Sequence, residues 1–479
     1  MWDERARQCG TRDSVRTCSG RLRAAAAALL TGALAGLGIV GEARAAALSP
    51  ITKGPYLQEL GPTSVVVRVE VDPPAPIDLE VSPLAAADGG TRDGGAVVIK
   101  HDASSAAFHS ILLDQLKPFT RYSYRVKVSG VRSPEGTFTT APSADSGAPF
   151  TFLLYGDDRS GDEAHAALVR SLAAIPSDFL LHTGDFVEDG SAKTMWQTFF
   201  DIESPLLRDR CVFACVGNHE LIEPGGVSFA RYFGPEQEGE GEPARRLYHT
   251  FRWSTARFFL LNGMDAWSTS NEKQWLRTAL ESADKEPGLV WRIVVIHFGP
   301  WSSGPHGKNT RLLSAGVIPI LAEHKVDLIL SGHDHIYERG EQDGLRYIVS
   351  GGGGAPLYRI EKTLSSTRKA ESAYHYITTS VTKDAIDVVA VRGDGSVLER
   401  CGFKRASTDW DCDPASALAS TAPPTLSSPT PPTQGSSESP PQPSRCGCRA
   451  VGAPCSHEDA GRWFGLLVMA LAAFHRRRS

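Results

Sequence analysis

Between residues 49 and 140, apolar positions come in short stretches separated by turn residues: Ser64-Val65-Val66-Val67-Arg68-Val69, Val97-Val98-Ile99, Ser110-Ile111-Leu112-Leu113 and Tyr122-Ser123-Tyr124-Arg125-Val126. No helical period runs through them, so the stretch reads as a β-sandwich of about 90 residues. After Pro149 the pattern changes. Apolar strands now end in polar turns, and amphipathic stretches at 163–174, 271–283 and 310–323 read as helices between them.

The ends of those strands carry the chemistry. Phe150–Tyr155 runs into Gly156-Asp157-Asp158-Arg159, and Asp178–Thr183 into Gly184-Asp185. Cys211–Val216 runs into Gly217-Asn218-His219-Glu220, Arg292–Ile296 into His297, and Asp327–Leu330 into Ser331-Gly332-His333-Asp334-His335. Ligands of α/β sheets gather beyond the carboxyl ends of strands. Five strand ends that deliver Asp, Asp, Asn-His, His and His-x-His therefore predict one convergent site.

The two ends of the chain read as addresses. An apolar, small-residue run from Ala24 to Val40, closed by Ala43-Arg44-Ala45 and Ala45-Ala46-Ala47, predicts a secretory signal over residues 1–47. No Met occurs between Met1 and Met195, which leaves a start at Val15 or Leu22 open. The Pro, Ser and Thr of residues 406–445 predict an extended linker. Residues 446–479 join Cys446-Gly447-Cys448 and Cys455 to an apolar run and Arg476-Arg477-Arg478. This order resembles the MYXO-CTERM class of bacterial sorting tails, which implies export and retention at the cell surface or outer membrane; a plain membrane tail is the alternative. Residues 48–142 are then the sandwich and 143–405 the catalytic unit.

Composition narrows the reading. The 479 residues carry 50 Lys+Arg against 55 Asp+Glu, a net charge of −5, which gives no basic face for nucleic acid. With 41% hydrophobic and 22% charged residues the chain is globular rather than disordered. Nine cysteines fit an oxidising compartment without demanding a disulfide scaffold. Cys401 and Cys412 are near enough in sequence to bridge. Cys211 and Cys215, at i and i+4 of a strand, would lie about 13 Å apart and read as core thiols.

Carboxylate and amide oxygens with imidazoles suit Zn, Mn or Fe rather than a dedicated calcium cage. A carboxylate can bridge two such ions, which can clamp a phosphate and ionise a water. His333 and His335 alternate along extended backbone and can serve different metals.

The set Gly156-Asp157, Gly184-Asp185, Gly217-Asn218-His219-Glu220, Val294-x-x-His297 and Gly332-His333-x-His335 resembles the five blocks of calcineurin-like metallophosphoesterases. With Leu116–Tyr124 similar to a late strand of a fibronectin type III-like module, the chain is most similar to the purple acid phosphatase branch. The resemblance implies an α/β fold, a four-layer α/β/β/α sandwich, preceded by the all-β module. It implies a phosphoric ester hydrolase, a phosphomonoesterase first and a phosphodiesterase or nucleotidase second, in which a metal-bound hydroxide attacks phosphorus. Carried over, Asp157, Asp185 and His335 hold the first metal, Asp185 bridges, and Asn218, His297 and His333 complete the second. His219 contacts phosphate and protonates the leaving oxygen, and His306 is the histidine of the substrate loop.

Two places depart from the family. Purple enzymes have Tyr three residues after the bridging Asp, where this chain has Glu188; many relatives have His two after the first Asp, where it has Arg159. Water or Glu188 fills the gap, or the first metal is weakly held, and the protein is not purple. Arg159 is expected to face the phosphate, since a guanidinium pairs bidentately with its oxygens. Glu220 is expected to orient His219, and Trp301 is the one tryptophan expected at the ligand. From a different class, the chain could be a surface binding protein with an inactive domain.

Overall fold

The computed structural model describes residues 49–84, 97–236, 247–269, 271–407 and 409–412. The signal, linker and tail expectations lie outside these residues. Among the described residues no helix is long and apolar enough to cross a membrane.

The first part is all-β: β1 (Ile51–Gln58), β2 (Val65–Val71), β3 (Ile77–Pro83), β4 (Val98–Asp102), β5 (Phe108–Leu113), β6 (Arg121–Val128), β7 (Val131–Arg132) and β8 (Gly136–Thr139). They form two antiparallel sheets, β1-β2-β5 and β4-β3-β6-β7, with β8 on β6. Alternation does the packing: Val65, Val67, Val69 and Val71 of β2 meet Leu79, Val81, Tyr124 and Val126 in one core. Hydrogen bonds tie the module to the α/β part of the chain. Arg68, fully buried, donates to the carbonyls of Tyr232 (2.9 Å) and Gly234 (2.8 Å), and Tyr124 Oη donates to Arg208 O at 2.8 Å.

The second part begins with β9 (Phe150–Tyr155), α1 (Asp162–Ala173), β10 (Phe179–His182), α2 (Lys193–Leu207), β11 (Val212–Ala214) and α3 (Val227–Tyr232). It continues with β12 (His249–Trp253), β13 (Ala256–Leu261), α4 (Asn271–Asp284), β14 (Trp291–Ile296), α5 (Thr310–Ser314), α6 (Val317–Glu323) and β15 (Leu328–Ser331). Strands β16 (Tyr337–Gln342), β17 (Leu345–Ser350), β18 (Thr367–Glu371), β19 (His375–Val381), β20 (Ala385–Arg392) and β21 (Val397–Lys404) close it. Two sheets result, ordered β11-β10-β9-β19-β20-β21 and β12-β13-β14-β15-β17-β16-β18; β9, β10 and β11 run parallel in the first, where β19 joins β9 antiparallel, and β13, β14, β15 and β17 run parallel in the second.

Period-two alternation makes the layers. Phe152 and Leu154 of β9 and Ile293 and Val295 of β14 point into a shared core between the sheets. Leu153 and Tyr155 face outward to Leu168 and Leu172 of α1 and Phe199 of α2. On the other side Val294 and Ile296 face Leu276 and Leu280 of α4 and Val317 and Ile320 of α6. This is the expected α/β/β/α arrangement after an all-β module.

Two local expectations change. The single helix read over 310–323 is broken into α5 and α6, because Gly316 takes a left-handed conformation (φ 71°) that ends one helix before Val317 starts the next. Helix α2 escaped the sequence reading, since Pro205 in its last turn and its continuous aromatics blur the helical signal. Cys401 and Cys412 are disulfide-bonded, while Cys211 and Cys215 are free and buried.

Candidate metal centre

The site is built from turns at the carboxyl ends of β9, β10, β11, β14 and β15. Neighbouring turns are tied through the backbone: Asp157 N donates to Gly184 O (2.9 Å) and Gly332 N to His297 O (3.0 Å). The two sheets are joined where His333 N donates to Asp157 Oδ1 at 2.9 Å. Asp157, Asp185 and His333 all sit at left-handed φ, 60°, 59° and 70°. Each such residue costs roughly 1–2 kcal/mol in an L-amino acid, strain stored where three donors are aimed inward. The glycines beside them allow the approach. A Cβ on Gly217 would lie 2.1 Å from Asp185 Oδ1, and one on Gly332 2.2 Å from Asp157 Oδ2.

Six of the sequence-predicted residues come together. Asp185, His297 and His333 place ligand atoms within 4.8 Å of one another, and so do Asp157, Asp185 and His335; Asp185 belongs to both groups, and all five are buried. Asn218 joins the first group, its Oδ1 3.0 Å from His297 Nε2. The carboxylate of Asp185 divides between the groups, with Oδ1 3.3 Å from His297 Nε2 and Oδ2 on the side of Arg159. A further grouping, Glu399 with Cys401 and Cys412, is the disulfide and not a metal site.

Backbone carbonyls orient the rings. His297 Nδ1–H donates to Thr183 O (2.8 Å) and His335 Nδ1–H to Pro356 O (2.7 Å), tautomers assigned from those acceptors. The Nε2 lone pair of each ring then points inward. His297 Nε2 consequently faces three acceptors: Asn218 Oδ1, Asp185 Oδ1 and, at 3.1 Å, His333 Nδ1. Converging lone pairs of this kind repel unless a cation sits among them. The electrostatics of the cluster point the same way. Burial lowers the His297 pKa, but Asp185 and Asp157 outweigh it and lift it to about 9, so without a metal the cluster captures a proton. Burial and facing His297 hold His333 down to about 2. Carboxylate, amide and imidazole donors in this arrangement fit Zn, Mn or Fe.

Around the donors lie residues that brace them or stand at the rim. Glu220 is fully buried, and its carboxylate accepts the backbone N–H of Asp185 (2.9 Å), Gly217 (2.8 Å), Phe186 (2.8 Å) and Val187 (3.3 Å). It pins two ligand turns and does not orient His219, whose Nδ1 is held by Glu188 O at 2.6 Å. His219 Nε2 lies 3.9 Å from Asp185 Oδ2. His306 stands at the rim, its ring 4.1 Å from that of His333 and its Nδ1 2.8 Å from buried Asp334 Oδ1. Tyr358 stacks on His335 with centroids 4.1 Å apart.

Packing bears on three further residues. Arg159 lies against the donors: Nε donates to Asp185 Oδ2 (3.2 Å), Nη1 pairs with Glu188, and Nη2 reaches His335 Nε2 (3.5 Å). Glu188 accepts from Arg159 and Ser160 and belongs to neither donor group. Trp301 is 1% exposed and packs against Tyr347 in the outer core, away from the ligand face.

A four-layer α/β/β/α domain whose strand ends bring two donor groups around one shared carboxylate has the architecture of a metallophosphoesterase. Residues 148–337 match the calcineurin-like phosphoesterase family. Purple acid phosphatase 21 of Arabidopsis thaliana is 28% identical over 273 residues, 52% of this chain and 59% of the relative. Purple acid phosphatase 22 of the same plant is 27% identical over 245 residues, 49% and 54%. The chain thus spans little more than half the length of these relatives. Among solved structures, a purple acid phosphatase from yellow lupin seeds superposes with a TM-score of 0.60 at 16% identity, covering 73% of each chain. A structure of PhoD gives 0.59 at 15% identity, covering 76% of this chain and 92% of the other. At such identities the two structures speak for the fold.

Proposed function

We propose that the protein is a metal-dependent phosphoric ester hydrolase, a phosphomonoesterase working with two cations. The observation that carries this reading is the single carboxylate, Asp185, shared by two buried donor groups on a calcineurin-like domain. Asp157, Asp185 and His335 would hold one cation, and Asp185, Asn218, His297 and His333 the other. When bound, the cations supply Lewis-acid polarisation of the phosphoryl oxygens and acidify a water for in-line attack.

The chain's own groups do the rest. His306, braced through Nδ1 by Asp334, presents its other nitrogen to the phosphate. His219 is fixed by Glu188 O through Nδ1–H, so as the imidazolium it would donate its Nε2 proton to the departing alkoxide and be left as the neutral ring. The phosphorus–oxygen bond of the ester breaks, water supplies the new oxygen, and alcohol and inorganic phosphate leave.

The test is hydrolysis of a chromogenic phosphomonoester and of the matching diester by the purified full chain, stripped and reloaded with Zn, Mn, Fe or mixtures. Faster monoester turnover supports the proposal. Preference for the diester moves the reaction to a phosphodiesterase, and no turnover with metal retained favours a binding protein. We further propose export and attachment at the cell surface through residues 446–479. Activity that fractionates with cells and is released when the tail is removed supports that part.

A further inference from the structure

The two donor groups differ in what already occupies them. Around Asp185 Oδ1, Asn218 Oδ1, His297 Nε2 and His333 Nδ1 no Lys or Arg enters among the described residues. The other group is contested. Arg159 Nε donates to Asp185 Oδ2 at 3.2 Å and Nη2 approaches His335 Nε2 at 3.5 Å. Those are the two atoms that a cation held by Asp157, Asp185 and His335 must use. A guanidinium does not give up its proton in a protein, so it can release them only by moving.

The surroundings both hold Arg159 and offer it an exit. Its side chain is 12% exposed, and Glu188, also bonded by Ser160, grips it from the solvent side. Beyond that pair lies a cavity of about 350 Å³, lined by Arg159, Ser160, Glu188, Met195 and Phe199 among others. A guanidinium that leaves the donors can turn into this space and keep Glu188 as partner.

We propose that Arg159 makes the two metal positions unequal: its guanidinium is the resident cation among Asp157, Asp185 and His335, and a metal loads there only by displacing it. The inference rests on the two-cation reading above. One position, with Asn218, His297 and His333, then keeps its metal through purification, and the other exchanges.

Metal content, not turnover, tests this. The full chain is stripped with chelator, titrated with Mn²⁺ by calorimetry, desalted for elemental analysis and examined by electron paramagnetic resonance. The wild type should retain about one equivalent and bind a second at least about tenfold more weakly, with the spectrum of isolated ions at one equivalent. Arg159→Ala should tighten the second equivalent about tenfold or more and give the coupled two-ion spectrum at two equivalents, while the first changes little. Arg159→Lys, a point charge without the fork, should fall between and serves if Arg159→Ala is poorly folded. Glu188→Gln should not tighten the second equivalent. Two equally tight equivalents in the wild type, or a second affinity that ignores Arg159→Ala, overturns the inference and leaves the two-cation hydrolase standing. Retention of no cation by any form overturns the metal site and the inference together.

Discussion

Asp157 and Asp158 are neighbours in sequence and lead into two clusters of the same residue types with opposite character. Asp157 joins Asp185, Asn218, His297, His333 and His335, where lone pairs converge and carboxylates share too few protein cations. Asp158 points the other way, into a buried cluster with His165, His182, Glu203 and Tyr155. There the rings face carboxylates: His182 Nε2 is 2.8 Å from Asp158 Oδ1, and His165 Nε2 is 2.7 Å from Glu203 Oε1 and 3.2 Å from Asp158 Oδ2. Tyr155 also bonds Glu203. Asp, Glu and His side by side therefore do not define a metal site. What defines it is whether donors meet acceptors, as around Asp158, or acceptors meet acceptors, as around His297.

The sharpest way to break the comparison is to remove one member from each cluster. Asp185→Asn should lower kcat/KM at least about a hundredfold and release metal, because the shared charge is lost from both groups; elemental analysis and phosphate release read both effects. Full activity with full metal content would refute the assignment. Asp158→Ala should do the reverse. It strands the buried partners His165 and His182, costs about 3–5 kcal/mol in denaturant unfolding, and leaves metal stoichiometry unchanged in the folded fraction.

A third kind of buried imidazole extends the series. His375, fully buried, bonds Ser350 Oγ (3.0 Å) and Ala373 O (2.8 Å) and, among the described residues, belongs to no metal group and bonds no carboxylate. Burial lowers its pKa from 6.5 to about 4. The unfolded chain then binds a proton that the folded one refuses between those values, so stability falls as pH drops from 6.5 towards 4 by up to about 3 kcal/mol. His375→Gln should flatten that part of the unfolding profile against pH.

Smaller effects should separate bracing from ligation. Glu220→Gln replaces one acceptor oxygen with an amino group that meets backbone donors, and should weaken metal affinity by about 10–100-fold without removing a ligand. Asp334→Asn should lower turnover by about tenfold with metal content intact, since only the orientation of His306 is loosened.

Much of this was legible along the chain. The alternation in β9, β10, β14 and β15 gives parallel buried strands, and the Asp157, Asp185, Asn218, His297 and His333-x-His335 turns announce donors at their ends, because period and turn chemistry are local properties. The helix break at Gly316 and the helix over Lys193–Leu207 were missed, since a glycine that turns left-handed and a proline in a last turn are decided by what packs around them. Carbonyl acceptors such as Thr183 O, Pro356 O and Glu188 O carry no side-chain signature at all.

The sequence by itself determined the kinds of donor, their order and the strand ends that bear them. Only the tertiary structure decided how they pair: Asp185 between two groups, Asp158 turned away towards His165 and His182, Glu220 across two turns, and Arg159 against Asp185 and His335. The physical reason is that pairing depends on directions and distances between segments far apart in sequence, such as Arg159 and His335, 176 positions apart. A residue's type fixes what it can donate or accept, and the packed sheets fix whom it meets.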